Sequence, residues 1–192
     1  MDVLQYIKKQ YSHFNLTEHE LSTLGKHITV THYKRNDFFL REDNASLKMG
    51  LLISGTAYSY KMNDNGEEVV DSFFYPDQQE ILFDYKSYFK GTSSNLNIKF
   101  QEEAVVSFFY IQDIKTLYDD FPRFLQFELL IIQQEFLYAI HRNEILHANT
   151  AEEKIKLLQE QMPKVFELFP YVQIASYLGI HRNTFRRVFS KH

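Results

Sequence analysis

The stretch from Pro122 to about Leu146 constrains this chain more than any other. It reads RFLQFELLIIQQEFLYAIHRNEIL with no internal glycine or proline, so one uninterrupted helix is expected. Phe124, Phe127, Leu130, Ile131, Gln134, Leu137, Tyr138, His141 and Ile145 recur at three- and four-residue steps along one face. Leu125, Leu129, Ile132, Phe136 and Ile140 give it a second apolar side. A helix apolar on two sides must be covered twice, once by its own domain and once by something else. A second copy of the same helix is the natural outer cover. The alternative is a central helix buried inside a monomer.

Ahead of that helix the pattern is of strands. From Ile28 to Ile111 short apolar or alternating runs follow one another: ITVTHY, DFFL, GLLISG, AYSYKM, EEVVDSFFY, EILF, LNIKF and AVVSFFYI. Polar turn clusters separate them, among them Lys34-Arg35-Asn36, Asp43-Asn44 and Asn63-Asp64-Asn65-Gly66. Asn65-Gly66 is a hairpin signal because both residues tolerate positive φ. Seven or more short strands with turns every 8–12 residues predict an antiparallel sandwich or barrel. Residues 1–27 read instead as short helices, with Leu4, Ile7 and Tyr11 at helical spacing and Thr17 with Glu20 in the form of a capping box. A second such box, Thr150 with Glu153, opens AEEKIKLLQEQM, which Pro163 closes.

Charge divides the chain unevenly. The formal net charge of −4 argues at first against a nucleic-acid binder. Residues 1–170 hold 17 basic and 25 acidic groups, a balance of −8, whereas the last 22 residues hold four basic groups and no acid. Chance sampling produces such windows too, so the asymmetry says only where to look. The acid-free tail, YVQIASYLGIHRNTFRRVFSKH, meets the needs of a helix-turn-helix. Ala175 supplies the small residue at the helix crossing, and Gly179 four positions on supplies the tight turn. Ile174, Leu178, Ile180, Phe185 and Val188 fall at interior offsets, and His181, Arg182, Asn183, Arg186 and Arg187 are left to face outward. Arginine grips guanine O6 and N7, and asparagine does the same for adenine N6 and N7. An ordinary helical hairpin with a basic face is the plainer alternative.

The whole chain, from roughly Phe14 to Val188, resembles the Crp/Fnr family of bacterial transcription regulators. The tail is similar to the family's helix-turn-helix motif at Ile174, Ala175, Leu178, Gly179, Ile180, Thr184, Phe185 and Arg187. ISGTAYSYKMNDNGEEV resembles its β-roll hairpin at Gly55, Ala57, Tyr60, Asn63, Gly66 and Glu67. AEEKIKLLQE is similar to the segment that opens its DNA-binding domain, through Ala151, Glu152, Lys154 and Leu158. The resemblance implies an α+β fold: an antiparallel, jelly-roll-like double-stranded β-roll sensor over 1–121, a central dimerisation helix over 122–148, and a small winged helix-turn-helix domain over 149–192. It implies a cytoplasmic homodimer on double-stranded DNA that works with RNA polymerase. The base-reading positions carry over to Arg182, Asn183 and Arg187, with Arg186, His181 and Thr184 beside them. His181 is also placed to cap the second helix. Where the best-known members have an acid, this chain has Asn183, which shifts the expected base preference towards adenine.

In cyclic-nucleotide-binding members a short cassette holds the ligand through a glycine, an acid and an arginine. The corresponding stretch here is PDQQEILFDYKSYFKGTSSNLNI. Phe83 stands where the cassette glycine would be, and Asp84 is the acid available. Between Gly91 and Ile98 come Ser93, Ser94 and Asn95 but no arginine or lysine. A buried phosphodiester without a cationic partner is costly, so cyclic AMP is disfavoured and no cofactor is expected. The candidate pocket is Phe83, Asp84, Tyr85, Ser93, Ser94 and Asn95, closed by Gln134 and Tyr138 of the central helix. Its aromatic residues either fill the roll or leave room for a small apolar effector.

Other chemistries find little support. With no cysteine, disulfides, thiolate metal sites, iron–sulfur clusters and cysteine nucleophiles are excluded. Of eight histidines (His13, His19, His27, His32, His141, His147, His181, His192), none forms an i, i+4 helical pair, and residues 28–111 hold only His32. Neither a haem site nor a cupin-type metal enzyme is expected. No apolar run approaches the ~20 residues of a membrane span, and the first ten residues do not form a secretory signal. Two readings remain: a DNA-binding regulator, or a cyclic-nucleotide-fold interaction module that does not bind DNA.

Overall fold

The threonine hydroxyl of Thr17 accepts the Glu20 N–H at 3.2 Å, while the Glu20 carboxylate accepts the Thr17 N–H at 2.7 Å. This reciprocal pair starts a helix at Glu18, and the same device at Thr150 starts another at Ala151. The structure, a computed structural model, describes residues 3–10, 12, 15–45 and 47–190. Tyr11, His13, Phe14 and His192, named above, lie outside them, as does Lys191. The chain divides into two compact units, residues 1–57 with 74–131 and residues 58–73 with 132–192.

The first unit begins with helices α1 (Val3–Gln10) and α2 (Glu18–Gly25), followed by strands β1 (Thr29–Tyr33), β2 (Phe38–Leu40) and β3 (Lys48–Ser54). Strands β4 (Ala57–Met62) and β5 (Glu68–Phe74) fall largely in the second unit. The chain then returns through β6 (Ile81–Leu82), α3 (Tyr85–Lys90), β7 (Asn97–Phe100), β8 (Ala104–Tyr110) and α4 (Ile111–Lys115). One antiparallel sheet has the order β1-β8-β3-β6, with Thr31 opposite Val106 and Gly50 opposite Phe108. β2 pairs antiparallel with β7. All eight strand-like runs of the sequence form strands. The short helices α3 and α4 were not foreseen, since five or six residues show no periodicity.

Side chains of β3 alternate between two cores. Met49 and Leu51 join Ile7, Leu24, Ile81, Phe124 and Ile131 in one cluster. Leu52 joins Phe39, Ile98, Phe100 and Val106 in the other. A sheet apolar on both faces explains why β3 reads as a continuous hydrophobic run instead of alternating. Gly55 turns the chain from β3 into β4 at φ 86°, where a Cβ would meet the Glu103 carbonyl at 2.4 Å.

The second unit combines the β4–β5 hairpin with the rest of helix α5 (Pro122–His147) and with α6 (Ala151–Gln161), α7 (Val165–Leu168), α8 (Tyr171–Tyr177) and α9 (Arg182–Phe189). The hairpin loop spans residues 63–67, longer than Asn65-Gly66 alone, and of those two only Gly66 has positive φ. Asn63 organises the loop, its side chain accepting the N–H groups of Asn65 and Glu67 at 3.0 and 2.9 Å. No strand lies among the described residues beyond β8. α5 is continuous from Pro122, as the sequence predicts. Leu125, Leu129, Phe136, Leu137 and Ile140 are exposed along it, Phe136 at 65%, whereas Phe124, Ile131 and Ile145 are buried. Leu137, expected on the inner face, is thus among the outer residues.

Candidate nucleic-acid interface

The turn between α8 and α9 is built by Gly179 at φ 63°. The Ile180 N–H reaches the Ala175 carbonyl at 3.0 Å and the Gly179 N–H reaches that of Ser176 at 3.0 Å. This is a Schellman closure, which needs a residue without a Cβ penalty at that point. Ala175 is buried at the crossing with Ile174, Leu178 and Phe185, while Ile180 and Val188 are half-buried. Phe185 also stacks with Phe189 and Phe166, at centroid distances of 5.3 and 6.4 Å. Tyr171 of α8 lies 5.4 Å from the same Phe185 ring, so α9 packs on both α7 and α8.

His181 caps α9, its Nδ1 accepting the Asn183 N–H at 3.3 Å. Arg182 and Arg186, and Asn183 and Arg187, stand at i, i+4 along α9. All four are exposed, as is His181, and Thr184 is half-buried. None of the three arginines forms an ion pair with a described residue. The face is therefore a set of unspent donors in a fork geometry suited to base edges or phosphates.

The cassette residues behave differently. Asp84 caps α3 and is 8% exposed. Its carboxylate accepts the Ser87 and Ser94 hydroxyls at 2.5 and 2.6 Å and the Ser87 N–H at 3.2 Å. Burial on its own would raise this carboxyl, but the hydrogen bonds from Ser87 and Ser94 outweigh it and hold the group below its ordinary range. Phe83 is buried against Tyr85 and Tyr88, with ring centroids 4.9 and 5.5 Å away. Ser93 and Asn95 are exposed on the following loop. Gln134 and Tyr138 lie on α5 within the second unit, the former exposed. Ser87 was not singled out from sequence, although an aspartate three residues before a serine is a cap signal.

An apolar cavity of about 30 Å³ lies in the first unit among Ile7, Leu24, Met49, Leu51, Phe127 and Ile131. It has room for little more than a water molecule. Among the described residues no group of three or more His, Asp or Glu side chains gathers as a metal site, and no helix is long and apolar enough to cross a membrane.

No family model matches the chain, and no curated protein matches its sequence. Solved structures do match. FixK2 from Bradyrhizobium japonicum superposes with a TM-score of 0.72 at 17% identity, over 85% of this chain and 83% of that one. The c-di-GMP-responsive global regulator CLP of Xanthomonas campestris gives 0.70 at 14% identity, covering 89% of each chain. A protein from Eubacterium rectale described as a transcriptional regulator of the Crp/Fnr family gives 0.70 at 14%, over 92% of this chain and 83% of that one. The fold is that of Crp/Fnr-type regulators. At such identities the likeness concerns architecture, and function must be argued from the residues of this chain.

Proposed function

We propose that this protein is a sequence-specific DNA-binding transcription regulator of the Crp/Fnr type, cytoplasmic and homodimeric. In this reading residues 1–121 form the sensor-like body, 122–148 the dimerisation helix and 149–192 the reading head. The carrying observation is α9: three exposed arginines with no acidic partner among the described residues, on a helix that buries Phe185. Arg182, Asn183 and Arg187 read base edges, while Arg186 and His181 take phosphates and Thr184 supports the turn. RNA polymerase is the downstream partner.

The exposed stripe on α5 supplies the dimer. Leu125, Leu129, Phe136 and Ile140 follow one another at four- and seven-residue steps, a pattern that a second copy of the helix covers. Phe136→Glu is expected to convert the dimer to monomer in sedimentation or light scattering. A wild-type chain that is monomeric at micromolar concentration removes this part of the reading.

The DNA reading is tested by fluorescence anisotropy on random and selected duplexes. The expected result is binding that weakens steeply with salt, and a selected palindrome-like site with half-sites about one helical turn apart. Failure to select any sequence favours the interaction-module alternative. The cassette is proposed not to bind cyclic AMP, because its carboxylate is already satisfied from within and no cation stands between Gly91 and Ile98.

A further inference from the structure

Strand β5 ends its sheet, with β4 on one side only. An open edge of this kind presents unpaired backbone groups. Three of those groups are occupied by side chains of the helical part of the same unit. The Ser176 hydroxyl, on α8, accepts the Val70 N–H at 3.0 Å and donates to the Glu68 carbonyl at 2.9 Å. It thus uses one donor and one acceptor of β5, as a neighbouring strand would. Arg142, on α5, donates through Nη2 to the Val70 carbonyl at 3.1 Å and pairs through Nη1 with Asp71 at 3.3 Å.

Aromatic packing closes the same junction. The Arg142 guanidinium lies 5.1 Å from the Tyr177 ring centroid. Phe73 of β5 packs on Phe169 and Tyr177 at 4.4 and 5.1 Å. Burial pushes the Tyr177 phenol up to about 12 against a smaller downward pull from Arg142, so it stays neutral. Helix α8 is thereby tied to a strand edge and to α5 at once. Because the Gly179 closure and the packing of Tyr171 of α8 on Phe185 and Phe189 of α9, at 5.4 and 5.1 Å, join α9 to α8, whatever sets the orientation of α8 also sets that of the reading helix.

We propose that Ser176 and Arg142 are positioning residues for DNA reading: by clasping α8 onto the edge of β5 they fix the orientation of α9, and so the separation of half-sites that the dimer accepts. The clasp touches none of the outward residues of α9. It governs spacing, while Arg182, Asn183 and Arg187 govern sequence. The inference rests on the reading of the protein as a dimeric DNA-binding regulator. It adds a specificity determinant that lies away from the DNA.

The test selects duplexes from a pool in which the spacer between half-sites varies, using full-length wild type, Ser176→Ala, Ser176→Thr and Asp71→Asn. Wild type is expected to prefer one spacer sharply. Ser176→Ala loses both bonds to β5, so affinity for that spacer should fall about tenfold while neighbouring spacers lose less, flattening the profile. Ser176→Thr keeps the hydroxyl and should restore the sharp profile. Asp71→Asn, at a half-exposed position that folding tolerates, should flatten it partly. The base preference within each half-site should stay the same in all of them. A Ser176→Ala protein that keeps the wild-type spacer profile, with or without a uniform loss of affinity, overturns the clasp and leaves the DNA reading intact. A wild-type dimer that binds no duplex overturns both.

Discussion

Asp84 and the arginines of α9 are two polar concentrations of the molecule built on opposite principles. The Asp84 carboxylate is withdrawn from water and takes its hydrogen bonds from Ser87 and Ser94, within ten residues of itself. Arg182, Arg186 and Arg187 stay in solvent and form no ion pair with a described residue. A group satisfied from within stabilises its own segment and offers little to a ligand. Charges held open on a rigid helix cost little in water and become valuable only against an external partner of opposite sign. In the proposed reading, recognition belongs to α9 and the cassette has a structural role.

The largest expected effect tests the open side. Replacing Arg182 and Arg187 together by alanine removes the two base contacts proposed for them and should cost about 2–6 kcal/mol in specific binding. The melting temperature should change little, since neither side chain has a described ion-pair partner to lose, and non-specific binding should fall by less than specific binding. Anisotropy titrations on the selected site and on a scrambled duplex measure the difference. Equal losses on both duplexes would make these residues phosphate contacts and take base reading away from them.

The closed side should respond in stability. Asp84→Ala strands the buried Ser87 hydroxyl and N–H and removes one partner of the Ser94 hydroxyl, which keeps the Leu96 carbonyl at 3.1 Å, costing about 2–3 kcal/mol. That corresponds to roughly 4–12 °C in Tm for a chain of this size. Because the folded carboxyl titrates below its ordinary range, its contribution is present above that range and is lost as the pH falls through the folded value. Thermal melts from neutral to acid pH should therefore show the wild type converging on Asp84→Ala at the acid end. Asp84→Ala that melts like wild type at neutral pH, yet binds DNA differently, would make the cassette a switch and dissolve the contrast with α9.

How far the sequence announces these two regions differs for physical reasons. The α8–α9 turn is legible because its determinants are local: Ala175, Gly179 and Phe185 sit at fixed offsets, and the turn is closed by bonds three and five residues apart. Both capping boxes and all eight strands are likewise local signals. The helices α3, α4 and α7 span four to six residues, too few for a period to register. The clasp is of another kind. Ser176 meets Val70 across 106 positions, and nothing near either residue marks the pairing. The wing implied by the family resemblance has no strand among the described residues, and the hairpin grouped with the head is β4–β5 instead.

The smallest expected effect is the response to cyclic AMP. A ligand present at a hundred times its Kd stabilises its target by about 2.7 kcal/mol, a shift of several degrees that a melt reads easily. A cyclic phosphate needs a cation or several free donors. The cassette has no arginine or lysine between Gly91 and Ile98, and the Ser87 and Ser94 hydroxyls already face the Asp84 carboxylate. An entering phosphate would meet that negative charge and would have to displace it from its own donors, so millimolar cyclic AMP should leave Tm unchanged. Asp84→Ala removes the charge and frees the donors, yet still supplies no cation, so inorganic phosphate should recover only part of the lost stability. A rise in wild-type Tm with cyclic AMP would show that the cassette opens to ligand after all, and recognition would then have two seats in this molecule.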